Sequence, residues 1–173
     1  MYPTETSYGI GCSAWNAQAV RKVFEFKNRP IEKAVPLVVS SLEEAKKLIV
    51  WDETVEQLTR AYWPGPFTIV ARATPDGVRM PPGIVEADGT IALRVSSHPI
   101  AEMLAQAVGP IVATSANNAG DPSCFTVDAV KLWLRDADVF VLDAGPLPLR
   151  AHSTIVRVVD GWYKILRGGA IKI

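Results

Sequence analysis

Apolar positions along the chain predict helices and strands that interleave. Short apolar runs between turn residues indicate strands at 35–39, 67–73, 90–95, 111–114 and 139–142, and a hairpin at 153–159 and 162–166 around Asp160-Gly161. Asn16, the capping box of Ser41 and Glu44, and Thr126 indicate the starts of helices at 16–27, at 41–50 and after Thr126. The helical period indicates further helices at 52–62 and 99–108. Because the two types do not alternate strictly, the pattern predicts an α/β fold with a twisted mixed sheet and flanking helices.

Two segments carry more specific expectations. The helix at 99–108 has a regular apolar stripe, which predicts the residues that face the core: Ile100, Met103, Leu104, Ala107 and Val108. Residues 74–89 are rich in proline, glycine and aspartate. That composition predicts an irregular segment and a candidate mobile loop over a site.

Polar residues interrupt the apolar pattern at two places. The opening stretch 2–12 sets two threonines, a serine, a glutamate and two glycines among aromatic rings. This is typical of a loop that lines a pocket, although a plain surface turn is an equal alternative. In the strand at 90–95, Thr90, Ala92 and Arg94 share one face. That face favours a cavity wall over an exposed edge strand with a solvated arginine.

Composition narrows the class of protein. The chain has 173 residues, 49% of them hydrophobic, with 18 basic and 18 acidic side chains. We expect a single domain over 1–173. Because the charges balance, we expect no overall electrostatic field that would attract nucleic acid or membranes. No apolar run reaches the roughly 18 residues of a membrane span and no signal peptide is visible, so we expect a cytoplasmic protein with no membrane partner. Cysteine and histidine spacing indicates no protein metal site.

The candidate chemistry is electrostatic. Lys27 and Arg29 follow a helix and suit a polyphosphate, although most such pairs are merely solvated. Small polar residues at 115–117 follow a strand, where α/β sheets bind ligands. There is no Walker A loop, and neither His98, a capping candidate, nor His152, in a loop, pairs with a nucleophile. An enzyme of this sequence is therefore expected to work by positioning and charge.

Seven collinear blocks resemble the YrdC-like family of threonylcarbamoyl-AMP synthases. They lie at residues 2–11 (YPTETSYGIG), 27–30 (KNRP), 63–68 (WPGPFT), 93–99 (LRVSSHP), 114–117 (TSAN), 153–156 (STIV) and 165–169 (ILRGG). The resemblance implies the single-domain form of the family, with a large concave cleft. It also implies a reaction that joins L-threonine, bicarbonate or carbon dioxide, and ATP into threonylcarbamoyl-AMP and pyrophosphate.

The same resemblance implies the site. Lys27 and Arg29 are expected to be catalytic and to hold the ATP phosphates, and Mg²⁺ is expected to bind through those phosphates rather than to the protein. The expected threonine contacts are Thr4, Arg94 and Ser153. The other expected nucleotide contacts are Thr90, Ser115, Asn117 and Arg167. The product is expected to pass to a transferase that modifies tRNA.

Departures and alternatives accompany this hypothesis. The chain starts at the family's first strand, short of the family's usual N-terminus, and has Val38 and Val39 where members often carry a histidine.

One alternative function is an RNA-binding module that lacks synthase activity, for which weak tRNA binding would be the residual function. The other is a carbamoyl-transfer domain like that of hydrogenase maturation proteins.

Overall fold

The computed structural model describes residues 1–118, 121–134 and 139–173. Its elements in chain order are β1 (Tyr2–Pro3), β2 (Tyr8–Ile10), α1 (Ala17–Phe26), β3 (Leu37–Val39), α2 (Leu42–Leu48), α3 (Glu53–Tyr62), β4 (Phe67–Arg72), α4 (Pro75–Val78), β5 (Thr90–Val95), α5 (Pro99–Val108), β6 (Ile111–Val112), β7 (Thr114–Ser115), α6 (Val127–Leu134), β8 (Thr154–Val159) and β9 (Trp162–Arg167). The predicted α/β class with a mixed sheet is confirmed.

Two sheets organise these elements. Six strands form a mixed sheet in the order β6-β3-β5-β4-β8-β9, and β1, β2 and β7 form a smaller antiparallel sheet. The single strand predicted at 111–114 is in fact two strands in different sheets, because β6 pairs with β3 while β7 pairs with β2. The polar turn after β7 is thereby brought against the opening strands of the chain.

The larger sheet separates a core from a polar face. Alternate residues of its central strands are fully buried, among them Ile69, Leu93 and Val156. The residues between them in sequence, including Arg94 and Ile155, line a cavity on the opposite face. The period of two that defines a strand therefore places the arginine on the cavity wall, as the sequence pattern favours.

Side-chain caps begin most of the helices where the sequence predicts. The side chains of Asn16, Asp52 and Thr126 accept hydrogen bonds from backbone N–H groups in the first turns of α1, α3 and α6. His98 caps α5 through Nδ1, which accepts from the N–H of Ile100 at 3.3 Å.

The capping box expected at the start of α2 is displaced by one residue. The Ser41 hydroxyl accepts from the N–H of Glu44 at 3.2 Å, as expected. The Glu44 carboxylate, however, accepts from the N–H and hydroxyl of Ser40 rather than from the N–H of Ser41.

The buried face of α5 differs from the predicted stripe. Ala101 and Ala105 are fully buried against β1 and β3, whereas Met103 is 59% exposed and Val108 is 49% exposed. Small side chains let the helix axis approach the sheet closely, and the larger apolar side chains then do not fit beneath it. The hydrophobic period located the helix correctly but misassigned its inner face.

Two further expectations are corrected. Residues 74–89 are not wholly irregular, because they contain α4 and are anchored by the buried side chains of Met80 and Ile84. The strand predicted at 139–142 is absent; Phe140 and Leu142 instead make backbone hydrogen bonds to Met1, which do not extend into a ladder. No helix within the described residues is long and apolar enough to cross a membrane.

Candidate active site

A cavity of about 350 Å³ lies between the polar face of the larger sheet and the smaller sheet. The smaller sheet and its turns contribute hydroxyl groups and backbone to the wall, through Thr4, Thr6, Ser7, Gly9, Thr114 and Ser115. The larger sheet contributes Val70, Ala92, Arg94, Ile155, Arg157, Leu166 and Arg167. The opening stretch of the chain is thus a pocket lining and not a surface turn.

Positive charge dominates the cavity wall. Four arginines line it, namely Arg29, Arg94, Arg157 and Arg167, against the single carboxylate of Glu86 among the described lining residues. Two of the four are paired with carboxylates behind the wall, Arg94 with Glu5 and Arg157 with Asp88. Burial lowers the pKa of His152, and Arg167 lowers it further, so this lining histidine is neutral at pH 7. A wall of this charge attracts anionic ligands.

The Thr4 side chain organises the opening turn. Its Oγ1 donates to the carbonyl of Ser7 at 2.8 Å and accepts from the N–H groups of Thr6 and Ser7 at 3.2 and 3.3 Å. Just after β2, the backbone lies so close to β6 that a Cβ on Gly11 would come within 1.9 Å of the Val112 carbonyl oxygen. Only glycine permits this approach.

Arg94 is held by a buried ion pair. Its Nε lies 3.1 Å from Oε1 of Glu5, and the two side chains are 7% and 4% exposed. The other carboxylate oxygen of Glu5 accepts a hydrogen bond from the hydroxyl of Ser96.

Ser153, directly before β8, and Arg167, at the end of β9, form a second group of side chains held in place by hydrogen bonds. The Ser153 hydroxyl accepts from Thr68 Oγ1 and from an Arg167 terminal nitrogen, both at 3.0 Å. Arg167 also donates to the Ser153 carbonyl oxygen at 2.9 and 3.2 Å. Burial, and repulsion from Arg94, lower the pKa of Arg167. The two cations therefore share one cavity.

Lys27 joins the Ser115–Asn117 turn to α1. Its Nζ donates to the carbonyl oxygens of Ser115 and Asn117 at 2.6 and 2.7 Å. Burial, and then repulsion from Arg29, lower the pKa of Lys27 to about 8. Arg29 donates to the carbonyl oxygens of Lys33 and Ala34 at 2.7 and 2.9 Å and reaches the cavity wall.

The structure brings six of the nine residues expected to bind substrates to the wall of this cavity, namely Thr4, Arg29, Arg94, Ser115, Ser153 and Arg167. Lys27 and Asn117 lie directly behind Ser115, because the Ser115 hydroxyl donates to Asn117 Oδ1 at 2.6 Å. Thr90 does not join them. Its hydroxyl bonds Asp88 at 2.6 Å and faces a separate pocket.

Sequence reasoning missed four charged or titratable residues at the site. Glu5 pairs with Arg94, and Glu86, His152 and Arg157 line the cavity. The strand period could have indicated Arg157, which shares a face of β8 with Ile155. The others depend on contacts between distant parts of the chain, for which one sequence gives no signal.

A dedicated metal centre is not found in the described part of the chain, where no group of three or more histidine, cysteine, aspartate or glutamate side chains could hold an ion. The donors at the cavity are mostly cations and hydroxyls. These residues do not fit a metal held by the protein.

Comparison with known proteins identifies the family. The model of the Sua5/YciO/YrdC family, described as "Telomere recombination", matches residues 1–169. The chain belongs to this family. It is 34% identical over 163 residues to the threonylcarbamoyl-AMP synthase of Marinobacter nauticus, covering 92% of this chain and 84% of that protein. It is 32% identical over 172 residues to the Bacillus subtilis protein of the same name, covering 98% of this chain and 49% of that protein.

Solved structures of the Sua5/YciO/YrdC fold agree. P. abyssi Sua5 complexed with L-threonine superposes with a TM-score of 0.89 at 31% identity, covering 97% of this chain and 49% of that one. The chain thus spans about half the length of the B. subtilis and P. abyssi proteins. E. coli YciO, at 24% identity and a TM-score of 0.85, and full-length HypF, at 23% and 0.77, share the fold.

Proposed function

We propose that this member of the Sua5/YciO/YrdC family is an L-threonylcarbamoyladenylate synthase. In this proposal it acts as a nucleotidyltransferase that forms threonylcarbamoyl-AMP and pyrophosphate from L-threonine, bicarbonate or carbon dioxide, and ATP. The observation that carries the proposal is the cavity that six expected substrate contacts share, with four arginines on its wall. Carboxylate, carbamate and triphosphate are all anions, so every substrate group suits that charge.

The threonine end is assigned to Thr4, Arg94 and Ser153. The fork of a guanidinium matches a carboxylate, and Arg94 reaches the cavity wall while its Nε is anchored on Glu5. Thr4 Oγ1 is engaged within its own turn, so Thr4 shapes the pocket as well as bordering it. Ser153 is fixed in place by Thr68 and Arg167.

The nucleotide end is assigned to Lys27, Arg29, Ser115, Asn117 and Arg167. A lysine ammonium has three N–H donors, and Lys27 uses two of them on the backbone of the Ser115–Asn117 turn. The third donor and the positive charge remain for a phosphate.

The reaction requires little covalent chemistry from the protein. The threonine amine adds to carbon dioxide, a carbamate oxygen attacks the α-phosphorus, and pyrophosphate leaves. Negative charge develops on phosphate oxygens, and cations already fixed by carbonyl groups stabilise it without reorganising. Mg²⁺ enters with the ATP phosphates in this proposal, and no step depends on protein ligands to it.

The product is expected to be used by a transferase that modifies tRNA, which would locate the activity in the cytoplasm. Proteins named threonylcarbamoyl-AMP synthase at 32–37% identity support this role. Direct binding of tRNA by this chain is expected to be weak, because basic and acidic residues are balanced at 18 each.

The test is release of pyrophosphate from ATP and Mg²⁺ by the purified protein, with L-threonine and bicarbonate supplied separately and together. Release that needs both co-substrates is the expected result. Release from ATP alone, or none from a folded protein, contradicts the proposal.

A further inference from the structure

We propose that Glu5 and Ser96 are positioning residues that orient Arg94 for the carboxylate of the amino-acid substrate. This inference rests on the proposed function, because it deepens the role of the threonine end of the same cavity. It assigns a task to two buried polar residues that the reaction itself does not use.

A continuous chain of contacts joins Arg94 to the start of α5. The Glu5 carboxylate meets Arg94 Nε with one oxygen and accepts from the Ser96 hydroxyl with the other. The Ser96 Oγ in turn accepts from the N–H of His98, the residue that caps α5, at 3.2 Å. Ser96 therefore fixes Glu5, and Glu5 fixes Arg94, from a rigid element outside the cavity.

The position of the contact decides its consequence. Glu5 engages Arg94 at Nε, the nitrogen closest to the chain. The contact is an ion pair rather than a hydrogen bond, because neither Arg94 Nε nor Glu5 Oε1 has a hydrogen-bond partner among the residues that the structure describes. A guanidinium carries five donors in a planar fork, so a carboxylate beside Nε holds the charged group in place and leaves the terminal nitrogens to a ligand. Both side chains are buried, so losing Glu5 leaves a buried charge without its partner.

The charges at the two ends of the cavity also differ. Arg94 has a carboxylate directly against it, whereas the side chains of Lys27 and Arg29 are held by neutral carbonyl oxygens in the part of the chain described. An arginine whose charge is neutralised suits a single planar carboxylate, because such a ligand is recognised by the geometry of the guanidinium. Cations held by carbonyls retain their full charge for a triphosphate. Glu5 thus helps to determine which end of the cavity receives the amino acid.

The test compares E5A, E5Q and S96A with the wild-type enzyme in the pyrophosphate assay. We expect E5A to raise the KM for threonine about tenfold, because Arg94 loses the buried ion pair that holds it, and to leave the KM for ATP within about twofold. E5Q keeps an oxygen for Arg94 Nε, so its threonine KM should stay within about threefold of wild type. Both variants lose the compensating charge, so both should lower the unfolding temperature.

A merely structural role would not separate the KM for threonine from the unfolding temperature in this way. S96A removes the hydroxyl that donates to Glu5 and accepts from His98, and we expect about a threefold rise in the KM for threonine with a smaller loss of unfolding temperature than in E5A. The matched control is E56Q, because Glu56 also pairs with cations but lies on α3, outside the lining of the cavity. It should leave both KM values unchanged.

Each contrary outcome is distinct. Equal rises in the KM for threonine and for ATP, in step with lost stability in E5A and E5Q, overturn the positioning role. If E5A does not fold, an unchanged threonine KM in folded S96A overturns it instead. Wild-type protein without threonine-dependent turnover overturns the proposed function and this inference together, whereas an active wild type with an unchanged threonine KM in E5A overturns the inference alone.

Discussion

The buried ammonium of Lys27 should make the stability of the fold depend on pH above neutrality. The residue is 5% exposed, and its pKa is lowered from 10.5 to about 8, mainly by burial and secondly by Arg29. In the unfolded chain the ordinary pKa returns. Between the two values the unfolded state holds a proton that the folded state has released, so the free energy of unfolding rises with pH.

The magnitude follows from the size of the shift. Below the folded pKa, both states carry the charge and stability does not change with pH through this group. Above it, one proton contributes at most about 1.4 kcal/mol per pH unit, and because Lys27 is only half deprotonated at its folded pKa, the folded state gains about 2 kcal/mol between pH 8 and pH 10.

Variant K27M keeps an unbranched side chain and removes the titration. The pKa of Cys12, raised by burial to about 11, works in the opposite direction above its ordinary value. That effect is common to both proteins and cancels in their difference.

The assay is urea unfolding of wild type and K27M, followed by tryptophan fluorescence at pH 7, 8, 9 and 10. We expect the free energy of unfolding of wild type, minus that of K27M, to change little up to about pH 8 and then to rise by about 2 kcal/mol by pH 10. A difference that does not vary with pH over this range would refute the lowered pKa of Lys27.

Four other outcomes are expected. Binding of ATP near pH 8 should take up a fraction of a proton in wild type and none in K27M, measured by calorimetry in two buffers of different ionisation enthalpy, because phosphate favours the charged form of Lys27. Variant R94A should lose threonine-dependent pyrophosphate release while its retention of RNA on a filter stays unchanged; equal loss of both would favour the RNA-binding alternative. Variant G11A should lower the free energy of unfolding by about 3 kcal/mol, because the new Cβ meets the carbonyl oxygen of Val112 at 1.9 Å. Variant N16A should lower it by about 1 kcal/mol through loss of the α1 cap, measured in the same urea assay.

Features that depend on neighbouring residues could be predicted from the sequence. The caps of α1, α2 and α6 and the Asp160-Gly161 hairpin are predicted from short motifs, and the structure confirms them. The period of two also placed Arg94 on the face that lines the cavity. In each case a few consecutive residues determine the outcome, so distant contacts do not enter the prediction.

Features that depend on packing could not be predicted in the same way. The apolar stripe of α5 pointed to large side chains, but the sheet accepts the helix through Ala101 and Ala105. Thr90 belongs by period to the cavity face and yet bonds Asp88 beside another pocket. Pairing of β6 with β3 and of β7 with β2 splits one apolar run into two strands. Each outcome is decided by the shape of a neighbour that the local sequence does not specify.

The same distinction explains why the cations of the site are not equivalent. In the sequence, Lys27, Arg29 and Arg94 are three positive charges and nothing more. In the fold, Arg94 meets a carboxylate whose other anchor, Ser96, is 91 residues from Glu5 along the chain, while Lys27 donates to two carbonyl oxygens and lies over the ring of Trp133. A neutralised and a fully charged cation favour different anions in the same cavity. The fold therefore makes the two ends of the site different, because it determines which group each charged side chain contacts.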